Sequence, residues 1–520
     1  MRLILTTTVI ASAFAAGNAI AADEAPKRPN ILFIMSDDHA EQAISAYGSE
    51  LIETPNIDRI AREGVLFRNA FVTNSICAPS RAVFLTGKYS HLNGLRDNRD
   101  EFDGSQMTFP KLLQRAGYQT AIVGKWHLKT APTGFDHWKV LIGQGEYYSP
   151  VFRENGTEVR HDGYVTDLIT DFALDYLEER DPDQPFLLVY NHKAVHRNWM
   201  PNVKHLDMYA VRDLPLPETF WDDYEGRPAA AAQDMRVADM FLSLDLKLHE
   251  TSYDKDEATG GEKNFHAPEA WKQAYARMTA QEKAAWDAHY DPIGETFRSD
   301  PPTGRALAEW KYQRYMKDYL RSVVSMDENI GRVLDYLDES GLAENTLLVY
   351  TSDQGFYLGE HGWFDKRFMY EESLAMPLVV RYPAAVPAGR VSDALVVNLD
   401  FAPTLLDYAG VPVPADMQRR SLRAILDGPP PADWRTSVYY HYYEFPHGSH
   451  DVRTHYGVRT DRYKLIRFYG EMDLWELYDL ATDPHELHNV YGQPGLQAVR
   501  DDLHRRLDAL RMELGDTTGS

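Results

Sequence analysis

The sequence predicts an α/β protein: a large, mostly parallel central sheet sandwiched by helices, with a smaller C-terminal subdomain of antiparallel sheet plus one helix. Three observations predict it. Short apolar runs alternate with helical stripes up to residue 429, the rhythm of β-α units. The runs are apolar at every position instead of every second one, as in strands covered on both faces. From residue 430 the pattern changes to short aromatic alternations between turn residues, which reads as antiparallel strands.

The N-terminus carries Arg2, an apolar run and Ala19-Ile20-Ala21 as a small-x-small site, so residues 1–21 read as a cleaved export signal. Threonines interrupt that run, and no other window reaches the roughly 18 continuous apolar residues of a spanning helix. The mature chain is therefore expected in the periplasm or outside the cell, without stable membrane insertion. A catalytic domain is expected over 22–429. Its strands are I-L-F-I-M (31–35), T-A-I-V (120–123), F-L-L-V-Y (186–190), T-L-L-V-Y (346–350) and P-L-V-V-R-Y (377–382).

Helices are predicted from Thr54-Pro55 through Ile57, Ile60 and Ala61, with Pro at the first position, and from Phe109 to a stop at Gly117. Two more run through Val165, Ile169, Phe172 and Tyr176, and through Val323, Ile330, Leu334 and Leu337 to Gly341. Residues 200–305 break the rhythm with prolines, aromatics and a polar loop at 252–263, and are expected to form an insertion over one edge of the sheet. Residues 430–520 form the C-terminal subdomain, with V-Y-Y-H-Y-Y and Y-K-L-I-R-F-Y as strands and a helix near 496–513.

Charge excludes one class of partner. The 520 residues hold 54 Lys and Arg against 78 Asp and Glu, a net −24, which disfavours nucleic acid. An anionic small substrate would need a local cationic pocket.

The residues at the end of each strand are more informative. The first strand runs into Ser36-Asp37-Asp38-His39, the second into Gly124-Lys125-Trp126-His127, the third into Asn191-His192 and His196, the fourth into Ser352-Asp353-Gln354-Gly355. Ligands in open α/β sheets bind outside the carboxyl ends of strands. A single Asp-Asp pair is more often a solvated turn, and a single His more often structural; their recurrence at equivalent positions points to one shared crevice. Asp37, Asp38, Asp353 and Gln354 offer hard oxygen donors whose crowding is costly without a cation. Calcium, or else magnesium, fits an all-oxygen set.

The only cysteine, Cys77, lies in N-S-I-C-A-P-S-R-A-V-F-L-T-G (74–87). It cannot form an intrachain disulfide or a thiolate zinc site. A buried bystander, a thiol nucleophile and a chemically converted residue remain open. Pro79 reads as the first helical position, placing Cys77 at a helix N-terminus, where N–H groups and the dipole favour negative charge. Arg81 lies one turn on.

Over nearly the whole mature chain the sequence resembles the type I sulfatases of the alkaline-phosphatase superfamily. The motifs are Cys77-Ala78-Pro79-Ser80-Arg81 with Thr86-Gly87, then N-I-L-F-I-M-S-D-D, G-K-W-H-L and S-D-Q-G-F-Y-L-G-E-H-G-W-F-D-K. The resemblance implies a carbohydrate sulfatase in which a maturase oxidises Cys77 to formylglycine, whose hydrate attacks sulfur. It implies Asp37, Asp38, Asp353, Gln354 and residue 77 as metal ligands, Gln354 standing where the family often has Asn. It further implies Arg81, Lys125 and Lys366 as cations on the sulfate, His196 or Lys366 as the acid for the leaving oxygen, and His127 as the base that expels sulfate. The strongest likeness is to N-acetylglucosamine-6-sulfatase-type enzymes and bacterial polysaccharide sulfatases, with His455, Arg453 and His361 expected at the sugar. Phosphonate and phosphodiester hydrolases of the superfamily, or a silent sulfated-glycan binder, are the alternatives.

Overall fold

The computed structural model describes residues 28–248, 267–418 and 420–519; the expected signal at 1–21 and the polar loop at 252–263 lie outside them. Its central sheet has ten strands: β1 (Asn30–Ser36), β2 (Val65–Phe67), β3 (Gln119–Gly124), β4 (His137–Leu141), β5 (Val151–Glu154), β6 (Thr157–Arg160), β7 (Phe186–Asn191), β8 (Thr346–Ser352), β9 (Leu378–Arg381) and β10 (Arg390–Ser392). Their spatial order is β10-β2-β9-β8-β1-β7-β3-β4-β5-β6. The middle is parallel: β1 pairs with β7 and β8, and β3 with β7 and β4. Near one edge β9 runs antiparallel between β8 and β2, and at the other β5 and β6 do the same.

Alternate side chains of the central strands enter two different cores. Ile31, Phe33 and Met35 point into one, Leu32 and Ile34 into the other, which is why these strands are apolar at every position. The helix Gly304–Glu339 covers the second face together with Val165–Glu179. It begins well before the predicted Val323, because its first turns bury charge: Asp318 accepts from Arg321 at 2.8 Å and from the Tyr290 hydroxyl at 2.8 Å, and pairs with Lys247 at 3.1 Å. Such paired charges interrupt an apolar stripe in sequence yet sit inside the molecule.

In the inserted segment, Trp271, Trp286 and Tyr290 join the core that holds Val165 and Tyr319. Among the described residues, no helix is long and apolar enough to cross a membrane.

Four antiparallel strands, Ser437–Tyr442, His455–Thr460, Tyr463–Phe468 and Leu474–Asp479, form the second sheet, closed by the helix Gln497–Leu514. This sheet grips the loop after Lys366. The Tyr440 hydroxyl donates to Arg367 O at 2.7 Å and Lys464 Nζ to Met369 O at 2.8 Å.

One half-buried acid, Glu41, has a carboxylate oxygen without a partner. The Oε1 of Glu41 is shielded from solvent and unbonded, and burial, helped by Glu371, pushes its carboxyl up to about 8. The group is then neutral when folded but ionised when unfolded, so it costs stability as pH rises through that window. Glu41→Gln is expected to raise the thermal midpoint by a few degrees at about pH 8 and to leave it unchanged at about pH 4; a melting series over pH checks this.

Candidate active site

The carboxyl end of β1 turns sharply, Asp38 taking a left-handed conformation with φ 63°. Backbone bonds hold the turn: Asp37 N–H donates to Ala194 O at 3.0 Å, Val195 N–H to Asp37 O at 2.7 Å, and the Tyr319 hydroxyl to Asp38 O at 2.8 Å. From β8, Asp353 joins them and accepts the Asp38 N–H at 3.2 Å. Carboxylate oxygens of Asp37, Asp38 and Asp353 lie within 4.8 Å of one another, as do ligand atoms of Asp37, Cys77 and His196. Asp37, Asp38, Asp353 and Gln354 are all fully buried.

Three cations meet these acids. Arg81 grips Asp353 Oδ2 through Nε and Nη2 at 3.1 and 2.9 Å, and its Nη2 stands 3.8 Å from Asp37. Lys125 pairs with Asp37, and Lys366 donates to both oxygens of Asp38 at 2.7 Å. Gln354 donates through Nε2 to Asp38, which leaves its Oε1 buried without a partner; Asp37 Oδ1 has no hydrogen bond either. Burial tends to raise Asp37, but Lys125, His196, Arg81 and Lys366 outweigh it and hold that carboxyl well below the usual range. Burial wins at the others: Asp38 is pushed to about 6 against the pull of Lys366, and Asp353 to about 7, with repulsion from Asp37 adding. Two orphaned oxygens inside a crowd of strained acids are what a divalent cation would satisfy. The donor set fits one.

Cys77 is the first residue of the helix Cys77–Thr86, so Pro79 is the third helical residue and not the first as expected. The sulfur is fully buried. Burial pushes the thiol up to about 12, with Lys125 and Lys366 opposing; protonated near neutral pH, it is a poor nucleophile as a thiol.

Both histidines of the site are held neutral, well below the ordinary imidazole value, by burial and then by Lys125. His196 donates from Nδ1 to Arg197 O at 2.6 Å, leaving Nε2 as an acceptor 3.8 Å from Asp38. His127 has φ 57° and a buried Nδ1 without a partner. If His127 is the base, the acid limb of kcat/KM is expected below the roughly 6.5 of free imidazole; a pH-rate profile checks it.

The structure does not bring the three expected sugar contacts to this cluster. His455 is fully buried in the second sheet, its Nδ1 donating to Arg453 O at 2.7 Å and its Nε2 accepting from Met369 N–H at 3.1 Å. Both nitrogens are used, and burial pushes its pKa to about 3. His361 is also fully buried, bound to Asp222 at 2.7 Å and packed among Tyr357, Trp363 and Tyr370. Arg453 donates to Asp451 O at 2.6 Å and lies over Phe445. His192, after the end of β7, is fully buried against Tyr190 with both ring nitrogens unpartnered. Sequence reasoning missed Tyr147, whose hydroxyl donates to His196 O at 2.7 Å.

The fold gathers three cations and an acidic cluster that fits a divalent ion around one buried cysteine. The sulfatase family model matches residues 29–411, and a model for the C-terminal part of N-sulphoglucosamine sulphohydrolase matches 359–513; the chain belongs to the sulfatase family. It is 49% identical over 500 residues to an N-acetylglucosamine-6-O-sulfatase of Bacteroides thetaiotaomicron, covering 95% of this chain and 88% of that one. A solved structure of a protein in complex with its substrate D-glucosamine-2-N,6-O-disulfate superposes with a TM-score of 0.90 at 49% identity, over 95% of this chain and 99% of that one. A phosphonate monoester hydrolase of Agrobacterium radiobacter, at 21% identity and a TM-score of 0.68 over 94% and 96% of the two chains, shares the fold alone. Sulfatases of this family generally use a metal ion and a formylglycine.

Proposed function

We propose that the protein is an exported carbohydrate sulfatase that removes 6-O-sulfate from glucosamine residues of sulfated saccharides, after a maturase has converted Cys77 to formylglycine. One observation carries the reading. The site of a family member holds Asp37, Asp38, Asp353 and Gln354 around Cys77, faced by Arg81, Lys125 and Lys366, on a chain 49% identical to a 6-O-sulfatase.

The chemistry is dictated by charge. A sulfate ester repels nucleophiles through its oxygens, so cations must be fixed where charge develops. Asp37, Asp38, Asp353, Gln354 and residue 77 would hold a divalent ion, calcium by donor type, which supplies positive charge and polarises an oxygen. Arg81, one turn into the Cys77 helix, is locked by Asp353, so its guanidinium is preorganised and costs no reorganisation. Lys125 and Lys366 add charge from β3 and from the loop gripped by the second sheet. His196, neutral and fixed by Arg197 O, keeps Nε2 as an acceptor, so Lys366, whose ammonium carries protons, would be the one to protonate the leaving oxygen. His127, also neutral, can accept the proton that lets sulfate leave.

The test is sulfate release by matured protein from glucosamine monosaccharides and disaccharides sulfated at single defined positions, alongside matched phosphate and phosphonate esters. Release from 6-O-sulfated glucosamine above all others is the expected result. Preference for a phosphorus ester, or binding without release, would overturn the reading.

A further inference from the structure

Lys366 reaches Asp38 from a stretch of backbone that does not hold itself. Its two neighbours, Asp365 and Arg367, are not glycine yet take left-handed conformations with φ 78° and 91°, and such residues stay there only where their surroundings over-determine them. Here the surroundings are the C-terminal subdomain. Both backbone polar groups of Met369 are taken by its sheet: the N–H donates to His455 Nε2 at 3.1 Å, and the carbonyl accepts from Lys464 Nζ at 2.8 Å. Lys464 is fully buried. Besides Met369 O, its ammonium pairs with Glu371 at 2.7 Å and with Glu486 at 2.8 Å, and Glu486 accepts the Glu371 N–H at 2.7 Å. Burial tends to raise Glu371, but Lys464 and then Arg459 hold that carboxyl down to about 2, so the pair is ionic. One cation of the second sheet thus fastens the loop after Lys366 at two places.

We infer that Lys464 is a positioning residue for the reaction: by tying Met369 O and Glu371 to the second sheet, it sets where the Lys366 ammonium stands against the sulfate and its leaving oxygen. The inference rests on the role that the carbohydrate-sulfatase reading above gives to Lys366. A lysine needs such a fixed base more than an arginine does, because its ammonium rides on a flexible four-carbon stem. A displacement of about 1 Å at a catalytic group can cost on the order of 10²-fold in rate. The other two cations stand on different supports. Arg81 lies on the Cys77 helix and is bonded to Asp353, and Lys125 follows β3 with its N–H on Asn191 O at 2.9 Å. Loss of Lys464 should therefore shift one cation of the three. An ion pair that only stabilised the subdomain would lower the melting point and leave Lys366 in place.

The test is a double-mutant cycle on matured full-length protein: Lys464→Met, which keeps the stem and removes the charge, Lys366→Met, and the two together, assayed on 6-O-sulfated glucosamine. The expected result is a drop in kcat/KM of roughly tenfold or more for Lys464→Met, carried by kcat more than by KM. Added to Lys366→Met, the same change should cost little further, because both remove one interaction. An equal drop in both backgrounds, or no drop in either, overturns the inference. If Lys464→Met does not fold, Glu371→Gln, which keeps the shape and removes the charge facing Lys464, takes its place in the cycle. Crystal structures of wild type and variant read the placement without turnover. Lys366 Nζ should leave at least one oxygen of Asp38 while Arg81 keeps Asp353; an unmoved Lys366 overturns the inference. If no form releases sulfate, the functional reading fails, and the position of Lys366 still decides the role of Lys464.

Discussion

Cys77→Ala is expected to abolish sulfate release, lowering turnover by about 10⁴-fold or more, the scale on which loss of a covalent nucleophile acts. The neighbouring hydroxyl cannot stand in, because Ser80 donates to Asp353 O and its oxygen also takes an N–H from Asn398. The substitution removes one sulfur from a site where the helix, Arg81 and the carboxylates are held by their own bonds, so the fold should persist. The wild-type chain made without a maturase should behave alike, folded and inactive, since a thiol lacks the second hydroxyl through which an aldehyde hydrate expels sulfate. Equal melting curves with and without the aldehyde, beside activity in one sample only, would separate chemistry from folding.

Asp353→Asn has the next largest expected effect. Asp353 accepts the Asp38 N–H, takes both nitrogens of Arg81 and belongs to the carboxylate trio. Losing its charge should weaken binding of the divalent ion and lower kcat/KM by roughly 10²-fold or more, because affinity for such an ion depends on ligand charge. Stability should move the other way in metal-free protein. Burial and Asp37 raise this carboxyl to about 7 despite Arg81, so ionising it in the fold costs more than Arg81 returns. A folded value above the unfolded one means the stabilisation is lost as pH rises through that window. At about pH 8 the chelated variant should therefore melt above chelated wild type, while its gain on adding calcium should be smaller. Paired melts with chelator and with calcium read both signs at once.

The central strands were legible because each buries two faces, which writes an unbroken apolar run into the chain. The edges were not: β2 and β10 span Val65–Phe67 and Arg390–Ser392 and are too short to show a period, and β6 exposes most of its residues. The start of the helix Gly304–Glu339 was hidden by Lys311, Arg314, Lys317, Asp318 and Arg321, which are buried despite their charge. In the site, residues supplied by strand ends were found because position and chemistry coincided. His455 and His361 show the converse failure: an aromatic-rich run with histidines reads the same whether the rings face a sugar or serve backbone N–H groups and carboxylates in a core. Lys464 was overlooked for a related reason, since only burial between Glu371 and Glu486 distinguishes it from a surface lysine.

The most direct test of the central claim is a crystal structure of matured, catalytically active protein grown with calcium, with anomalous scattering to place the ion. The predicted result is an ion roughly 2.3–2.6 Å from oxygens of Asp37, Asp38, Asp353 and Gln354, and an oxygen-bearing side chain in place of the thiol at residue 77 reaching the same ion. An active sample whose Cys77 remains a thiol, or whose carboxylate trio binds no ion while activity persists, would contradict it.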